Sequence, residues 1–154
     1  MNLLISACLL NVPCRYDGDG AEAPALAALL RRRPDLHAVP ICPEQLGGLA
    51  TPRPPAERAG ERVITCGGAD VTDAYRRGAE VALALAGRLN CAAALLKARS
   101  PSCGSGAIYD GSFTHTRISG DGVTAARLKE AGIPVFDEEH LADLVRFAGG
   151  GEEA

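Results

Sequence analysis

Four short apolar runs set the frame of this chain, at residues 3–7, 36–41, 91–96 and 133–136. Each is about strand length, and none alternates cleanly between apolar and polar side chains as a strand with one wet face would. Continuous runs of this kind are what parallel strands covered on both faces require. The stretches between them carry a helical period instead. Leu26, Leu29 and Leu30 mark one face of a helix over 22–33, with Pro24 close to its start. The longest helix is expected over 70–90, with Val71, Tyr75, Ala82, Leu85 and Leu89 on one stripe. A third, over 122–131, stops at Gly132, a residue suited to a helix C-terminus, and a fourth spans 138–147. Strands alternating with helices predict a single three-layer, Rossmann-like α/β domain over residues 1–148 with a mainly parallel sheet. Residues 149–154, GGGEEA, are expected to form a flexible C-terminal tail.

Two segments break the rhythm. Residues 47–61, GGLATPRPPAERAGE, are rich in proline and glycine and read as a surface loop. Residues 108–116 hold Asp110-Gly111 between β-forming residues, a signal for a hairpin turn. The first follows the second apolar run and the other follows the third. In an open parallel sheet those are the ends at which ligands bind.

With 154 residues, 47% of them hydrophobic and 23% charged, the chain can bury the core of one domain. The net charge of −3 gives no support for holding polyanions by bulk attraction, although a local basic patch would still admit RNA. Tryptophan is absent and aromatics make up 4%, so base-stacking platforms are few. The opening MNLLISACLL has no preceding basic region and is too short to span a bilayer. A first buried strand explains it better than a signal peptide, and the expected location is the cytoplasm. In that reducing compartment six cysteines are metal ligands, catalytic groups or core fillers rather than disulfides.

Their positions narrow the choice. Cys8 follows the first run, Cys42 follows the second, and Cys103 lies in the loop after the third, within RSPSCGSG. If those strands are neighbours, three thiols converge at one end of the sheet. The bland alternative is that each is a small buried hydrophobe, as free cysteine often is. Cys14, in CRYDG, is near enough to Cys8 to serve as a fourth ligand. Cys91 opens its strand at the wrong end of the sheet, and Cys66, after a short extra strand, is expected to pack. Paired Cys-x2–4-Cys zinc knuckles are missing from the sequence. A phosphatase-type loop needs an arginine six residues after its cysteine; from Cys8 that position is Cys14, with Arg15 one too late. An iron–sulfur cluster asks only for soft thiolates, which separate loops can supply.

Four stretches in order, SACLL…CRYDG, CPEQLGGLATPRPPAE, GGADVT and KARSPSCGSG, resemble the thiouracil desulfurase family, over about residues 2–141. The resemblance implies one α/β domain holding a [4Fe-4S] cluster through three cysteines and removing sulfur from thiolated uracil without net redox chemistry. Carried over residue by residue, the cluster ligands are Cys8, Cys42 and Cys103, with Cys14 ranked fourth. The family's catalytic glutamate falls on Glu44 and its catalytic serine on Ser100, with Ser102 as the fallback. The glycine usual after SACLL is Asn11 here, a departure that removes no ligand.

The expected chemistry follows from those groups. A soft thiocarbonyl sulfur suits an iron with an open position, Glu44 acts as general base on a water, and Ser100 positions that water. Taken alone, Glu44 reads as a carboxylate at a helix N-terminus after Pro43 and Ser100 as a turn hydroxyl. Arg15 and Arg53 either hold ligand oxygens or staple loops, and Tyr16 and Asp17 shape the first loop. His37, His115 and His140 lack a partner at ligand spacing and stay outside the chemistry. The expected partner is a small thiolated pyrimidine. The alternatives are 4-thiouridine in tRNA or a free thionucleoside as substrate, and a non-catalytic iron–sulfur binding or sensing module.

Overall fold

A computed structural model describes residues 1–149 of the chain. Its centre is a four-stranded parallel sheet built from β1 (Asn2–Ser6), β2 (His37–Ile41), β5 (Cys91–Leu96) and β8 (Val135–Asp137). The spatial order is β2-β1-β5-β8. Four helices cover its two faces: α1 (Pro24–Arg32), α3 (Thr72–Arg88), α4 (Val123–Glu130) and α5 (Leu141–Phe147). Leu3 and Ile5 of β1, with Ala93 and Leu95 of β5, pack with Leu26, Leu29, Leu144 and Val145 of α1 and α5. Leu4, Ala94 and Leu96 point the other way and pack with Ala82, Ala86, Ala125 and Leu128 of α3 and α4. Both faces are therefore apolar, which is why the strands read as unbroken runs.

From β1 the chain turns to one side to reach β2, then crosses over to β5 on the other side. The carboxyl ends of β1 and β5 thus flank a switch point, where such sheets open a crevice. Each of the three strand exits there is short and tightly fitted. A 3-10 turn, Ala7–Leu10, follows β1 and closes on Asn11 at φ 65, in the left-handed region. Asparagine is among the few residues that enter that region readily, so it fills a place that suits glycine without disturbing the turn. After β2 comes the single-turn helix α2 (Pro43–Leu46), with Pro43 at its first position and Cys42 at its N-cap. Gly47 and Gly78 let α2 lie directly on α3. A Cβ on Gly47 would stand 1.9 Å from Ala74 O, and one on Gly78 would stand 1.9 Å from Pro43 O.

The segments outside the main sheet differ from the sequence reading. The loop over 47–61 is not irregular throughout: β3 (Ala56–Ala59) pairs antiparallel with β4 (Arg62–Thr65). Its alternating, half-exposed residues carry no apolar run that would have announced a strand. A second antiparallel pair, β6 (Ala107–Tyr109) and β7 (Arg117–Ser119), follows β5. Asp110-Gly111 is not a tight two-residue turn there, because the connection runs over seven residues to Thr116. The stripe expected on the long helix also shifts. Val71 is its N-cap and Leu89 is 43% exposed, whereas Thr72, Ala74, Tyr75, Gly78, Ala79, Ala82 and Ala86 are buried. Small residues form the buried face because α2 and α4 lie close against it. The last helix begins at Leu141 rather than 138, since Asp137 turns the chain by accepting from Glu139 N at 2.9 Å. Cys66 follows β4 but is exposed, so the expected packing role is corrected. Of the expected tail over 149–154, all but its first residue lies outside the described residues. Among the described residues no helix is long and apolar enough to cross a membrane.

Candidate active site

Cys8 in the turn after β1, Cys42 before α2 and Cys103 in the loop after β5 line one cavity of about 550 Å³, together with Cys14. The cavity sits at the switch point. Glu44, Arg53, Tyr75, Lys97 and Ser100 share its lining.

The sulfurs are held by local hydrogen bonding. Ser6, the last residue of β1, donates from Oγ to Cys103 Sγ at 3.3 Å and accepts from Lys97 N, just beyond β5, at 2.9 Å. This hydroxyl ties the two central strand ends together under the site. Ser100 Oγ accepts from Ser102 N at 3.2 Å and from Cys103 N at 3.1 Å, which folds the RSPSCGSG loop around Cys103. On the other wall Cys42 Sγ stands 3.6 Å from Cys14 O and 3.6 Å from Glu44 Oε2.

Glu44 is the centre of the polar network. Its Oε1 accepts from Ser102 Oγ at 2.8 Å, and its Oε2 from Arg53 Nη2 at 3.3 Å. Arg53 also donates to Cys14 O at 3.0 Å and, from Nη1, to Ala50 O and Thr51 Oγ1. It is buried, so it staples the loop over 47–61 to the first cysteine loop and holds the carboxylate at once. Ser102 has one hydroxyl hydrogen, and its shortest bond gives it to Glu44. Ser100 is then the donor in the 3.1 Å contact between the two hydroxyls, so the hydrogens run from Ser100 to Ser102 to Glu44. Ser100 is half-buried and faces the cavity, whereas Ser102 is fully buried behind it.

Burial pushes the Cys8 thiol up to about 12, helped by the negative charge that Cys103, Cys14 and Glu44 would carry and opposed by Lys97. Burial and then Glu44 raise Cys103 to about 11, against the hydroxyls of Ser102, Ser6 and Ser100. Cys42 rises for the same first two reasons, burial and Glu44. Without a cation between them, these thiols keep their protons at neutral pH. A soft metal group would displace those protons and take the thiolates.

Among the described residues, no three of His, Cys, Asp and Glu close around a point that one metal ion would fill. Three thiols nonetheless face the same cavity from different segments. A donor set that is soft, sulfur-only and spread around a volume fits a multi-iron cluster, whose thiolates sit at separate corners. It does not fit a single tetrahedral zinc.

Other groups went unnoticed in the sequence. Ser6 and Tyr75 carry no motif; the first shows only as the polar end of an apolar run. Glu57, Tyr109, Phe113 and His115 also line the cavity, so His115 stands at the site although no second histidine marks it. His37 is exposed on β2, and His140 bonds Asp137 at 2.7 Å, both away from the cavity lining. Arg15 pairs with Asp17 at 3.4 Å and lies 5.5 Å from the Tyr16 ring, at the cavity edge.

The profile of the 2-thiouracil desulfurase family matches residues 3–140. A Bacillus subtilis (strain 168) protein, the uncharacterized YbbK, is 43% identical over 153 residues, covering 93% of this chain and 99% of that protein. A solved structure, that of the [4Fe-4S]-dependent thiouracil desulfidase TudS, superposes with a TM-score of 0.88 at 47% identity. The match covers 96% of this chain and 97% of that one.

Proposed function

The chain belongs to the 2-thiouracil desulfurase family, and we propose that it removes sulfur from a thiolated uracil, converting 4-thiouracil and water to uracil and hydrosulfide. The observation that carries this reading is the convergence of Cys8, Cys42 and Cys103 on the one cavity that also holds Glu44. Those three cysteines would hold a [4Fe-4S] cluster, with Cys14 as the next sulfur to hand. Bound there, the cluster supplies a Lewis-acidic iron without a protein ligand, soft enough to prefer a thiocarbonyl sulfur to water.

The protein's own groups do the rest. Glu44 acts as general base toward the water that attacks the ring carbon. Its Oε2 already faces Arg53 and Cys42, whereas Oε1 accepts a single bond, from Ser102. The free lone pair on Oε1 is therefore the place for the water's proton. Arg53 holds the carboxylate in place, so little reorganisation is needed when that proton arrives. Ser100 faces the cavity with its lone pairs held by two backbone N–H groups, and it orients the water by turning its one hydroxyl hydrogen from Ser102 to the water oxygen. The C–S bond breaks as the C–O bond forms, and no electron is gained or lost overall.

Protein purified without oxygen and given 4-thiouracil should yield uracil and sulfide in equal amounts. Turnover of thiolated tRNA with none of the free base would replace this substrate. A full cluster with turnover of neither would replace the enzyme by a binding module.

A further inference from the structure

The chain has three tyrosines, three phenylalanines and no tryptophan. The buried residues of its two core clusters are leucine, isoleucine, valine, alanine and cysteine, with no aromatic among them. Tyr16, Tyr75, Tyr109 and Phe113 all line the cavity, with His115 beside them. The remaining pair, Phe136 and Phe147, pack on each other, ring centres 5.6 Å apart. A protein this poor in aromatic rings has placed two-thirds of them around one cavity.

Three of the rings belong to the β6–β7 hairpin, which is braced as a wall. Phe113 and His115 both hold φ at 58, in the left-handed region that costs a side-chain-bearing residue most. Yet Phe113 is still 36% exposed, so burial of its ring repays that conformation only in part. What holds it is Glu57 of β3, whose Oε1 accepts from Gly111 N at 3.0 Å and Phe113 N at 3.1 Å. Gly111 lies so close to β3 that a Cβ on it would stand 2.8 Å from Ala59 Cβ. Hydroxyls of Ser112, Thr114 and Thr116 chain together along the tip at 2.6 and 2.8 Å. Tyr109 meets His115 edge to face, centroids 6.2 Å apart. A strained backbone, pinned from outside, that presents a partly exposed ring to a cavity is the mark of a ligand contact.

Resting on the desulfurase reading, we infer that Phe113 and His115, carried on this hairpin, are the specificity wall of the site. They grip the flat face of the pyrimidine ring and restrict the substrate to planar heterocyclic thiocarbonyls. They bind ground state and transition state alike and take no part in moving protons. Among the described residues, neither side chain is hydrogen-bonded to a thiol or to the Glu44 network.

The test uses the cluster-loaded enzyme and reads two quantities: the Kd of uracil by calorimetry, and kcat and KM for 4-thiouracil per intact cluster. Losing one base–aromatic stack corresponds to roughly 5- to 150-fold in affinity. Phe113→Ala should weaken uracil binding and raise KM within that range, leaving kcat per cluster and iron content near wild type. Phe113→Leu should behave like Phe113→Ala, because bulk without a π face does not stack, whereas Phe113→Tyr should stay close to wild type. His115→Ala should move KM in the same direction. If wild type binds uracil and turns over 4-thiouracil while the alanine and leucine variants match it, the wall is overturned and the desulfurase reading stands. Wild type that neither binds uracil nor acts on 4-thiouracil sinks that reading, and the wall with it.

Discussion

Cys42 and Glu44 stand two residues apart, on either side of Pro43, yet their losses should register differently. Replacing Cys8, Cys42 or Cys103 with serine should remove most of the iron and the brown colour from anaerobically prepared protein. Cys14→Ser should cost less, because the other three sulfurs remain. Iron and sulfide assays decide this, and full clusters in all three single variants would dismiss the assignment. Glu44→Gln keeps the shape and can still accept from Ser102, but it cannot take a proton. It should retain iron and lose about 10²–10⁴-fold in rate per cluster, the size of a positioned base. An unchanged rate at full iron would remove Glu44 from the mechanism. Ser100→Ala should lower the rate less, and its cost should include loop order around Cys103. The positions of these residues at strand ends were legible because each thiol follows the end of an apolar run, although Cys8 and Cys103 are themselves buried. The Ser6 contact to Cys103 and the hydroxyl run through Ser102 were not legible. Each joins atoms whose distance depends on how two loops meet, and no spacing in the chain records that.

Between elements, the contact of α2 on α3 has the least tolerance. Each glycine there faces a carbonyl oxygen of the opposite helix at a distance no methyl group can share. Gly78→Ala must push α2 outward, and α2 carries Glu44 and begins at Cys42. Overpacking of this kind costs about 1–3 kcal/mol. The expected result is a lower melting temperature together with lower iron per chain, although Gly78 does not itself line the cavity. Loss of stability with full iron would show that the sulfur positions do not depend on this contact. The four sheet strands and the four helices covering them were readable from their periods, since both faces of the sheet are dry. The β6–β7 hairpin was legible at Asp110-Gly111, though not the length of its loop, whereas the β3–β4 pair was hidden in a loop because its strands are short and half exposed. Their job is to hold the 110–116 tip, and that follows from a tertiary contact of Glu57 rather than from any local pattern.

Across the whole molecule, aliphatic side chains make up most of both hydrophobic layers, with Cys8, Cys14 and Cys103 buried among them as small apolar groups. The iron-free protein should therefore stay folded, with a cooperative thermal transition, unlike small domains that a metal folds outright. Loading the cluster should raise the melting temperature by mass action on the native state alone. Iron-free protein with unfolded circular dichroism would contradict this.

Cys8 belongs with the α1/α5 layer and Cys103 with the α3/α4 layer, while Cys42 packs at the edge of the first. A group bonded to all three is therefore a rivet through both layers at one rim of the sheet. Its effect on breathing of the molecule should be lopsided. Amide hydrogen exchange should slow on iron loading in residues 7–14, 42–47 and 99–106. At the opposite rim, in residues 31–37 and 88–91, it should stay as it was. Uniform slowing would mean that iron tightens the fold everywhere, and no slowing near the sulfurs would mean that the rim was already rigid before the rivet went in.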